Sequence, residues 1–219
     1  MNVIVSRKEL LAALIFASRD ETRFALCGVC IEQRPKSPPL MIATDGRRLS
    51  VIESQAVQEG TTEYEHTVVL MPDFINAICR LSKAVGGKLF PWMSITNKAG
   101  SERVDVNFIG CDCVLNAEKN ALFNMPYSNW RAAIPDCKDR TPLNELGINP
   151  EYMTDYRKVA KVLDFPEYQV RLNLIGEDMA VEVKINGLHY FYGLVMPLKL
   201  EEKVNYQPEF LGMEKLKAA

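Results

Sequence analysis

The alternation of apolar and polar positions predicts three amphipathic helices, at residues 7–19, 72–85 and 150–164. A short β-prone run precedes each helix, at residues 2–5, 67–70 and 146–148. Pro72 and Pro150 stand at the starts of the second and third helices, each followed by an acidic residue, as suits a first helical turn. The chain therefore repeats a strand–helix unit, and such repeats are informative about the whole fold.

Strand-like patterns follow each predicted helix. They cover residues 23–33 and 40–53, then 89–97, 102–109 and 111–116, and finally 169–175, 179–185 and 188–197. Turns are expected at residues 35–39, 98–101 and 176–178, and the Asn186-Gly187 pair predicts a hairpin. Within residues 40–53, the Asp45-Gly46 pair predicts a strand that bends or bulges at Gly46. The result is three units, about 2–62, 63–118 and 144–200, in an α+β fold of antiparallel sheets with helices on one face.

Composition narrows the class of protein. With 219 residues and 47% hydrophobic residues, the chain is expected to build a core without cross-links. Six cysteines, an opening that runs directly into a folded pattern, and no apolar run of membrane-spanning length favour a cytoplasmic protein with no membrane partner. A net charge of −2 argues against a surface that binds nucleic acid throughout, but it allows a locally basic face.

One heptapeptide carries a resemblance to a known family. Ala43-Thr44-Asp45-Gly46-Arg47-Arg48-Leu49 resembles the Ala-Thr-Asp-Gly-His-Arg-Leu signature of the bacterial DNA polymerase III β subunit, the sliding clamp, with Arg47 where histidine is usual. Residues 127–135 resemble the family's Pro-Asp-Tyr-Arg-x-x-x-Pro link, and residues 195–200 resemble its carboxyl-terminal Val-Met-Pro-Met-Arg-Leu. The three segments occur in the family's order and span most of residues 2–200.

The resemblance implies a DNA-clamp-like fold and a shortened domain plan. Residues 1–135 resemble the middle clamp domain, residues 136–143 a linker, and residues 144–200 the second half of the last domain, followed by a tail at 201–219. Clamp rings contain twelve such units. Because three units occur here, four chains would complete a ring, which suggests a homo-oligomer and more particularly a tetramer.

The first candidate site is a groove for an extended peptide. Without the family, a kinked strand that presents a bare backbone and two guanidiniums beside apolar residues suits peptide docking better than bond-breaking. By resemblance, the peptide-binding residues are Leu26, Thr44, Gly46, Arg47, Arg48, Leu49, Pro135, Asn149, Tyr152, Ala180, Leu194, Met196, Pro197 and Leu198. The alternative is that Leu26, Leu49, Leu194 and Met196 are ordinary core residues.

The second candidate site is a basic helix surface. Helical spacing predicts buried stripes at Phe74, Ile78, Leu81 and Val85 and at Tyr152, Tyr156, Val159 and Leu163. The opposite faces carry Arg80 and Lys83, and Arg157, Lys158 and Lys161, while Arg7, Lys8 and Arg19 are a weaker case. In the family the corresponding helices line a central hole and contact DNA phosphates without reading sequence. An ordinary solvated surface is the alternative.

Catalysis and metal binding have little support. The sequence has no glycine-rich phosphate loop and no nucleophile elbow, so the protein is not expected to be an enzyme and no cofactor is expected. Cys27, Cys30, Cys111 and Cys113 could suggest zinc, but strand residues three apart point to opposite faces, so a metal site is disfavoured.

The resemblance therefore implies a DNA polymerase processivity factor. It would encircle double-stranded DNA as an oligomeric ring, tether a DNA polymerase and other proteins with clamp-binding motifs, and be placed on DNA by a clamp loader. The alternative is a clamp-derived decoy or regulator that binds the same peptides without encircling DNA. The tail sequence at 207–211 resembles such a peptide and is hypothesised to occupy the pocket of the same or a neighbouring chain, with a surface strap or disorder as the alternatives.

Overall fold

A computed structural model describes residues 1–58, 65–84, 92–98, 101, 103–110, 114–117, 122–123, 127–135, 146–165, 169–176 and 178–199. The first unit consists of β1 (Asn2–Ser6), α1 (Arg7–Leu14), a 3₁₀ helix (Glu21–Leu26), β2 (Val29–Arg34), β3 (Ser37–Thr44) and β4 (Arg48–Glu53). Ser6 caps α1 in a capping box with Glu9, which satisfies the backbone amides at both ends of the box. This cap explains why the strand changes to a helix between Ser6 and Arg7.

The second and third units repeat this order. The second consists of β5 (His66–Leu70), α2 (Pro72–Ala84), β6 (Trp92–Asn97), β7 (Val104–Phe108), β8 (Val114–Ala117) and β9 (Leu122–Phe123). A link with a 3₁₀ helix at Trp130–Ala133 follows. The third unit has α3 (Pro150–Val162), capped by Asn149, then β10 (Val170–Asn173), β11 (Val181–Ile185) and β12 (Phe191–Val195). The predicted antiparallel α+β architecture is confirmed.

Two antiparallel sheets contain these strands. Sheet A has the order β1-β6-β7-β8, and sheet B has the order β10-β11-β12-β4-β3-β2-β5-β9. The strands before α1 and α2 are exchanged, because β1 pairs with β6 of the second unit and β5 pairs with β2 of the first. The third unit joins sheet B through β12 and β4, with Leu194 opposite Leu49. One sheet thus crosses from the first unit to the third.

The helices form one layer over the core. α1 packs against both α2 and α3, and the main cluster of buried residues joins all three helices to the inner faces of the sheets. Phe16, Tyr156 and Phe191 meet at its centre with ring centroids 5.2 to 6.3 Å apart. A second cluster lies on the outer face of sheet B. It comprises Cys30, Leu40, Ile42, Leu49, Val51, Val69, Ala180 and Leu194, with Tyr127, Trp130 and Tyr192 against it.

Several local predictions were wrong. The stretch 40–53 is not one strand with a bulge at Gly46 but two paired strands, because the Asp45 side chain caps a tight turn between them. The predicted strand at 23–33 begins only at Val29, since Asp20 caps a 3₁₀ helix through Leu26. Residues 146–148 make one bridge, Gly147 to Leu198, and no strand.

Three more differences concern boundaries and faces. The last strand begins at Phe191, because residues 186–190 form a longer connection than the predicted two-residue hairpin. Leu81 is 41% exposed, so it is not part of the buried stripe of α2; Ile75, Cys79 and Ser82 are buried instead. The three helices end at Leu14, Ala84 and Val162, one to five residues before the predicted ends. Val85 and the turn residues 99–100 lie outside the described residues.

Candidate functional site

The turn between β3 and β4 is held by its own side chains. Asp45 accepts hydrogen bonds from the backbone amides of Arg47 and Arg48, at 2.9 and 3.0 Å. The Thr44 hydroxyl accepts from the Gly46 amide at 3.0 Å and donates to the carbonyl of Arg48 at 2.7 Å. Gly46 has φ +84°, a region that glycine occupies at low cost. The signature heptapeptide therefore encodes a rigid, exposed turn.

Arg23 fixes this turn from outside. Its Nη1 donates to the Asp45 carbonyl at 2.8 Å and lies 2.8 Å from where a Cβ of residue 46 would be. Leu26, from the predicted set, is the next nearest side chain, with Cδ1 3.9 Å from that point. Sequence analysis did not identify Arg23 as a site residue. Its position one helical turn before Leu26 in a short helix leading to the strand could have suggested it.

Arg48 lies beneath the turn and contacts α3 and the two residues that directly follow α1. Its guanidinium forms ion pairs with Asp45 and Asp155 and donates to the Ile15 carbonyl at 3.2 Å. It also lies over the rings of Phe16 and Tyr152, 5.3 and 5.1 Å from their centroids. The Arg48 side chain is only 12% exposed. Through these contacts it connects the turn to the helix layer. The partner Asp155 was not predicted, although an acidic residue among the basic positions of α3 was visible in the sequence.

Arg47 differs from Arg48 because its side chain is exposed. A hydrogen bond to the Tyr152 hydroxyl and the charge of Asp45 raise the pKa of the Arg47 guanidinium. Arg47 and Tyr152 also line an open cavity of about 640 Å³. Most of its lining is charged, including Arg19, Asp20, Arg23, Asp45, Arg48, Glu151, Asp155 and Lys158. This cavity is polar, whereas the predicted groove was expected to be lined by apolar side chains.

The end of the third unit meets the turn directly. The Met196 amide donates to the Arg47 carbonyl at 2.8 Å, and the Leu198 amide donates to the Gly147 carbonyl at 2.8 Å. Met196 is 41% exposed and Leu198 is 51% exposed, beside the half-buried Pro197. Asn149, at the N-cap of α3, follows Gly147 closely. The two chain segments predicted to form opposite walls of a groove are therefore neighbours.

Other residues of the predicted set are buried below this surface. Leu49, Leu194 and Ala180 are at most 6% exposed and belong to the outer cluster of sheet B. Their burial agrees with the alternative that these apolar residues are core residues. Tyr156 approaches the same region from inside, where its hydroxyl donates to the Leu194 carbonyl at 3.0 Å. The absence of a side chain at Gly193 leaves room for the Tyr156 ring, whose Cε1 lies 2.5 Å from a Cβ position there.

The link packs on the outer cluster. Trp130 lies under the Arg131 guanidinium, 4.3 Å from the ring centroid, and Arg131 pairs with Glu32 on β2. Burial favours the neutral acid, but the hydrogen bonds and charge of Arg131 prevail and lower the pKa of Glu32. Burial also raises the pKa of Tyr127. Pro135 is half-buried at the end of this segment, before residues that lie outside the described part of the chain.

The predicted basic residues occupy the outside of the helix layer. Arg80 and Lys83 on α2 and Arg157, Lys158 and Lys161 on α3 are all exposed. Lys158 pairs with Asp155, whereas the other four form no salt bridge within the described residues. On α1, Lys8 pairs with Asp164. Because α1 contacts both α2 and α3, the charges belong to one helix layer.

Neither a metal centre nor a membrane span is found where the structure can be described. No group of three or more His, Cys, Asp or Glu side chains could hold a metal ion among those residues. Cys27, Cys30 and Cys79 are buried free thiols, and burial raises the pKa of Cys30 and Cys79 to about 12. No described helix has the length and apolar character needed to cross a membrane.

These features define a protein with the bacterial sliding-clamp fold. The structure matches the DNA polymerase III β subunit of Thermotoga maritima with a TM-score of 0.68 at 16% sequence identity, over 91% of this chain and 66% of that chain. It matches the DNA polymerase sliding clamp of Pseudomonas aeruginosa with a TM-score of 0.67 at 17% identity, over 91% of this chain and 66% of that chain. It matches the sliding clamp of Bacillus subtilis with a TM-score of 0.66 at 14% identity, over 91% of this chain and 64% of that chain. The chain thus spans slightly under two-thirds of each clamp's length.

Sequence comparison gives no match of its own. No protein-family model matches the chain, and no curated protein matches it by sequence. Identities of 14 to 17% establish the shared fold alone. The predicted resemblance to the clamp is confirmed at this level.

Proposed function

We propose that this chain is a non-enzymatic, clamp-like processivity factor that tethers a DNA polymerase and other proteins to double-stranded DNA. The observation that carries the proposal is the 2.8 Å hydrogen bond between the Met196 amide and the Arg47 carbonyl. It joins the signature turn to the end of the third unit. Two exposed apolar side chains and an exposed guanidinium therefore share one surface, with a layer of basic helices elsewhere on the molecule.

The peptide would bind along the surface formed by Gly46, Arg47, Met196, Pro197 and Leu198, which we call the turn–tail surface. Met196 and Leu198 supply apolar contacts, and methionine adapts to varied partner side chains. Arg47 can hold a carbonyl or carboxylate of the peptide, and the bare backbone at Gly46 allows close approach. Leu49, Leu194, Ala180 and Arg48 would support this surface from below. We propose that Leu26, Thr44, Pro135, Asn149 and Tyr152 would contribute at its margins.

The DNA contact would be electrostatic. Arg80, Lys83, Arg157 and Lys161 have no acidic partner among the described residues, so they are available to phosphates. Binding of this kind does not read base sequence, and it weakens steeply with salt because counterions are released. A sliding contact needs both properties.

Encirclement would come from assembly. Four chains of three units supply the twelve units of a clamp ring, so we propose a homo-oligomer, and specifically a tetramer, loaded by a clamp loader. The outer edge of β8 pairs with no other described strand of sheet A, so it is available for a junction like that between β4 and β12. A mass of one chain in solution at working concentration would contradict this part of the proposal.

The decisive experiment measures retention on circular DNA. The protein is incubated with nicked circular DNA and a loader fraction, and the bound protein is separated by gel filtration before and after the DNA is linearised. Retention on the circle with loss from the linear form is expected for a ring, because its hold is topological. Equal loss from both forms would reject encirclement.

The second candidate is a decoy that binds clamp partners without encircling DNA. It is favoured by one observation, that the exposed side chains of Arg47, Met196 and Leu198 share one surface within a single chain, so peptide binding needs no ring. A decoy would bind a labelled peptide that carries glutamine, leucine and phenylalanine, yet would show no retention on circular DNA. The two measurements together separate the candidates.

A further inference from the structure

The repeat places two strands of every unit in defined roles. We call the extended segment directly before each helix the lead strand. We call the next strand along the chain after that helix the first strand. Lead strands are β1, β5 and the segment 146–148, and first strands are β2, β6 and β10. Ser6, Met71 and Asn149 directly precede the three helices, so residues can be matched between units by counting back from them.

In the first two units, each lead strand has neighbours on both sides. On one side it pairs with the other unit's first strand, with Val5 opposite Met93 and Leu70 opposite Val29. On the other side it contacts the segment after the third strand that follows its own helix, which means after β4 in the first unit and after β8 in the second. That second contact is Ile4 with Gln58 in the first unit and Val69 with Phe123 in the second.

The third unit has only one of these two contacts among the described residues. Gly147 pairs with Leu198, which repeats the contact with the segment after the last strand at the same position as Ile4 and Val69. Within the described part of the chain, no first strand pairs with residues 146–148, and no lead strand pairs with the outer edge of β10. In a single copy, among the described residues, residues 146–148 therefore have no first strand beside them and β10 has no lead strand beside it.

Side-chain exposure follows the same pattern. Leu172 on β10 lies opposite Val183, on the face that points to the core, yet it is 38% exposed. Its counterparts Ile31 and Ile95, on the covered first strands, are 0% exposed. Leu146 and Ile148 are half-buried, whereas the matching Val3 and Val5 are at most 1% exposed. An open edge strand with exposed apolar residues is a template for pairing with another chain.

We propose that a second copy of this chain completes the third unit by exchanging lead strands about a two-fold axis. Residues 146–148 of each copy pair with β10 of the other, as β1 and β5 do within one chain. In both existing pairs, the residue directly before the helix cap lies opposite the first core-facing residue of the first strand. These pairs are Val5 with Met93 and Leu70 with Val29. The register is therefore Ile148 opposite Val170, Gly147 opposite Arg171 and Leu146 opposite Leu172, across the two copies.

A second copy fits this edge because each chain carries both partners of the interface. Such an isologous contact closes on itself and leaves neither residues 146–148 nor the outer edge of β10 unpaired. The inference rests on the homo-oligomer proposed above and names the surface that would form it. It does not depend on peptide or DNA binding. A single-chain mass would reject both this inference and the proposed ring, whereas an oligomer without a cross-link between residues 147 and 171 would reject this inference alone.

The register is tested with cysteines on the outward face. Directly opposite residues of antiparallel strands lie about 4.5 to 5.5 Å apart at Cα, within disulfide range. The full-length double variant Gly147→Cys/Arg171→Cys is oxidised and run on a non-reducing gel beside the unmodified chain. A covalent dimer that disappears on reduction is expected. The matched control is Gly147→Cys/Lys184→Cys, whose second cysteine lies one strand further in, and it should cross-link far less.

Solution mass gives an independent readout. Light scattering of the full-length protein should give at least twice the 24.8 kDa of one chain. Leu172→Asp should lower the apparent dimer affinity at least tenfold, whereas Val57→Asp, at a site 89% exposed, should leave it unchanged. Thermal melting establishes that both variants fold. A single-chain mass for the folded unmodified protein would overturn the proposal. So would a cross-link between residues 147 and 171 that forms only in a variant lacking residues 203–219 and not in the full-length protein.

Discussion

The Met196 amide donates a hydrogen bond to the Arg47 carbonyl at 2.8 Å, so the end of the third unit is attached to the signature turn of the first. The bond uses backbone atoms of both residues, and it leaves the side chains of Met196 and Arg47 exposed on either side of the junction. Backbone contacts hold the surface together, and side chains are free to contact a partner.

The first prediction concerns the apolar part of the turn–tail surface. Met196→Asp should weaken binding of the glutamine-, leucine- and phenylalanine-containing peptide about tenfold or more, about 1.4 kcal/mol, because an apolar contact is replaced by a hydrated charge. Fluorescence anisotropy measures the affinity. Val57→Asp adds the same charge at another exposed apolar position and should have no effect. Equal weakening in both variants would show that net charge, and not this surface, governs binding.

The second prediction concerns the turn glycine. Gly46→Ala should destabilise the protein by about 1–2 kcal/mol, because alanine is strained at positive φ, and should also weaken peptide binding. Gly187→Ala is the matched control, since Gly187 has φ +85° and is close to the Phe165 ring. It should lower the free energy of unfolding while leaving peptide affinity unchanged. Urea denaturation and anisotropy give the two quantities separately.

The third prediction concerns the ion pair beneath the turn. Asp155→Asn leaves the largely buried Arg48 without its α3 partner, and it should cost on the order of 3 kcal/mol of unfolding free energy. Asp164→Asn removes the partner of Lys8 at an exposed site and should cost about 1 kcal/mol or less. Urea titration of both variants measures the free energy of unfolding. Similar small decreases in that free energy for both variants would mean that the Arg48–Asp155 ion pair is not structurally important.

The fourth prediction concerns the basic helices. Arg157→Gln/Lys161→Gln should reduce non-specific affinity for double-stranded DNA and lower the slope of log K against log salt by about 0.9 for each phosphate that the variant no longer neutralises. Lys36→Gln, an exposed change at the β2–β3 turn, should leave the slope unchanged. Filter binding at several salt concentrations gives the slope, and an unchanged slope in the double variant would argue for an ordinary solvated surface.

The fifth prediction concerns pH. The folded protein holds the pKa of Glu32 below its usual value through Arg131, so this carboxylate stabilises the fold above the pKa of the unfolded chain, near 4.5. The stabilisation should disappear as the pH falls through the lowered pKa. Glu32→Gln should therefore be less stable than the unmodified protein at pH 7, with a much smaller difference at pH 3. Urea melts at the two pH values test this, and an equal difference at both would contradict it.

Sequence periodicity determined the repeat and most of the secondary structure. All three helices, nearly all the strands and the outward basic residues of α2 and α3 were predictable, because the 3.6- and 2-residue periods record which face of an element is buried. Local capping was less visible. The turn at Gly46 was misjudged as a bulge because its geometry depends on three hydrogen bonds to the Asp45 side chain, which no periodicity records.

Tertiary structure alone decided how the units join and which side chains remain exposed. The exchange of β1 and β5, the pairing of β4 with β12 and the burial of Arg48 between two carboxylates depend on contacts between residues far apart in the chain. Leu49 and Met196 were equivalent apolar positions in the sequence, yet one is 3% and the other 41% exposed. Burial of a strand residue depends on what packs over it, and that is settled only when distant segments come together.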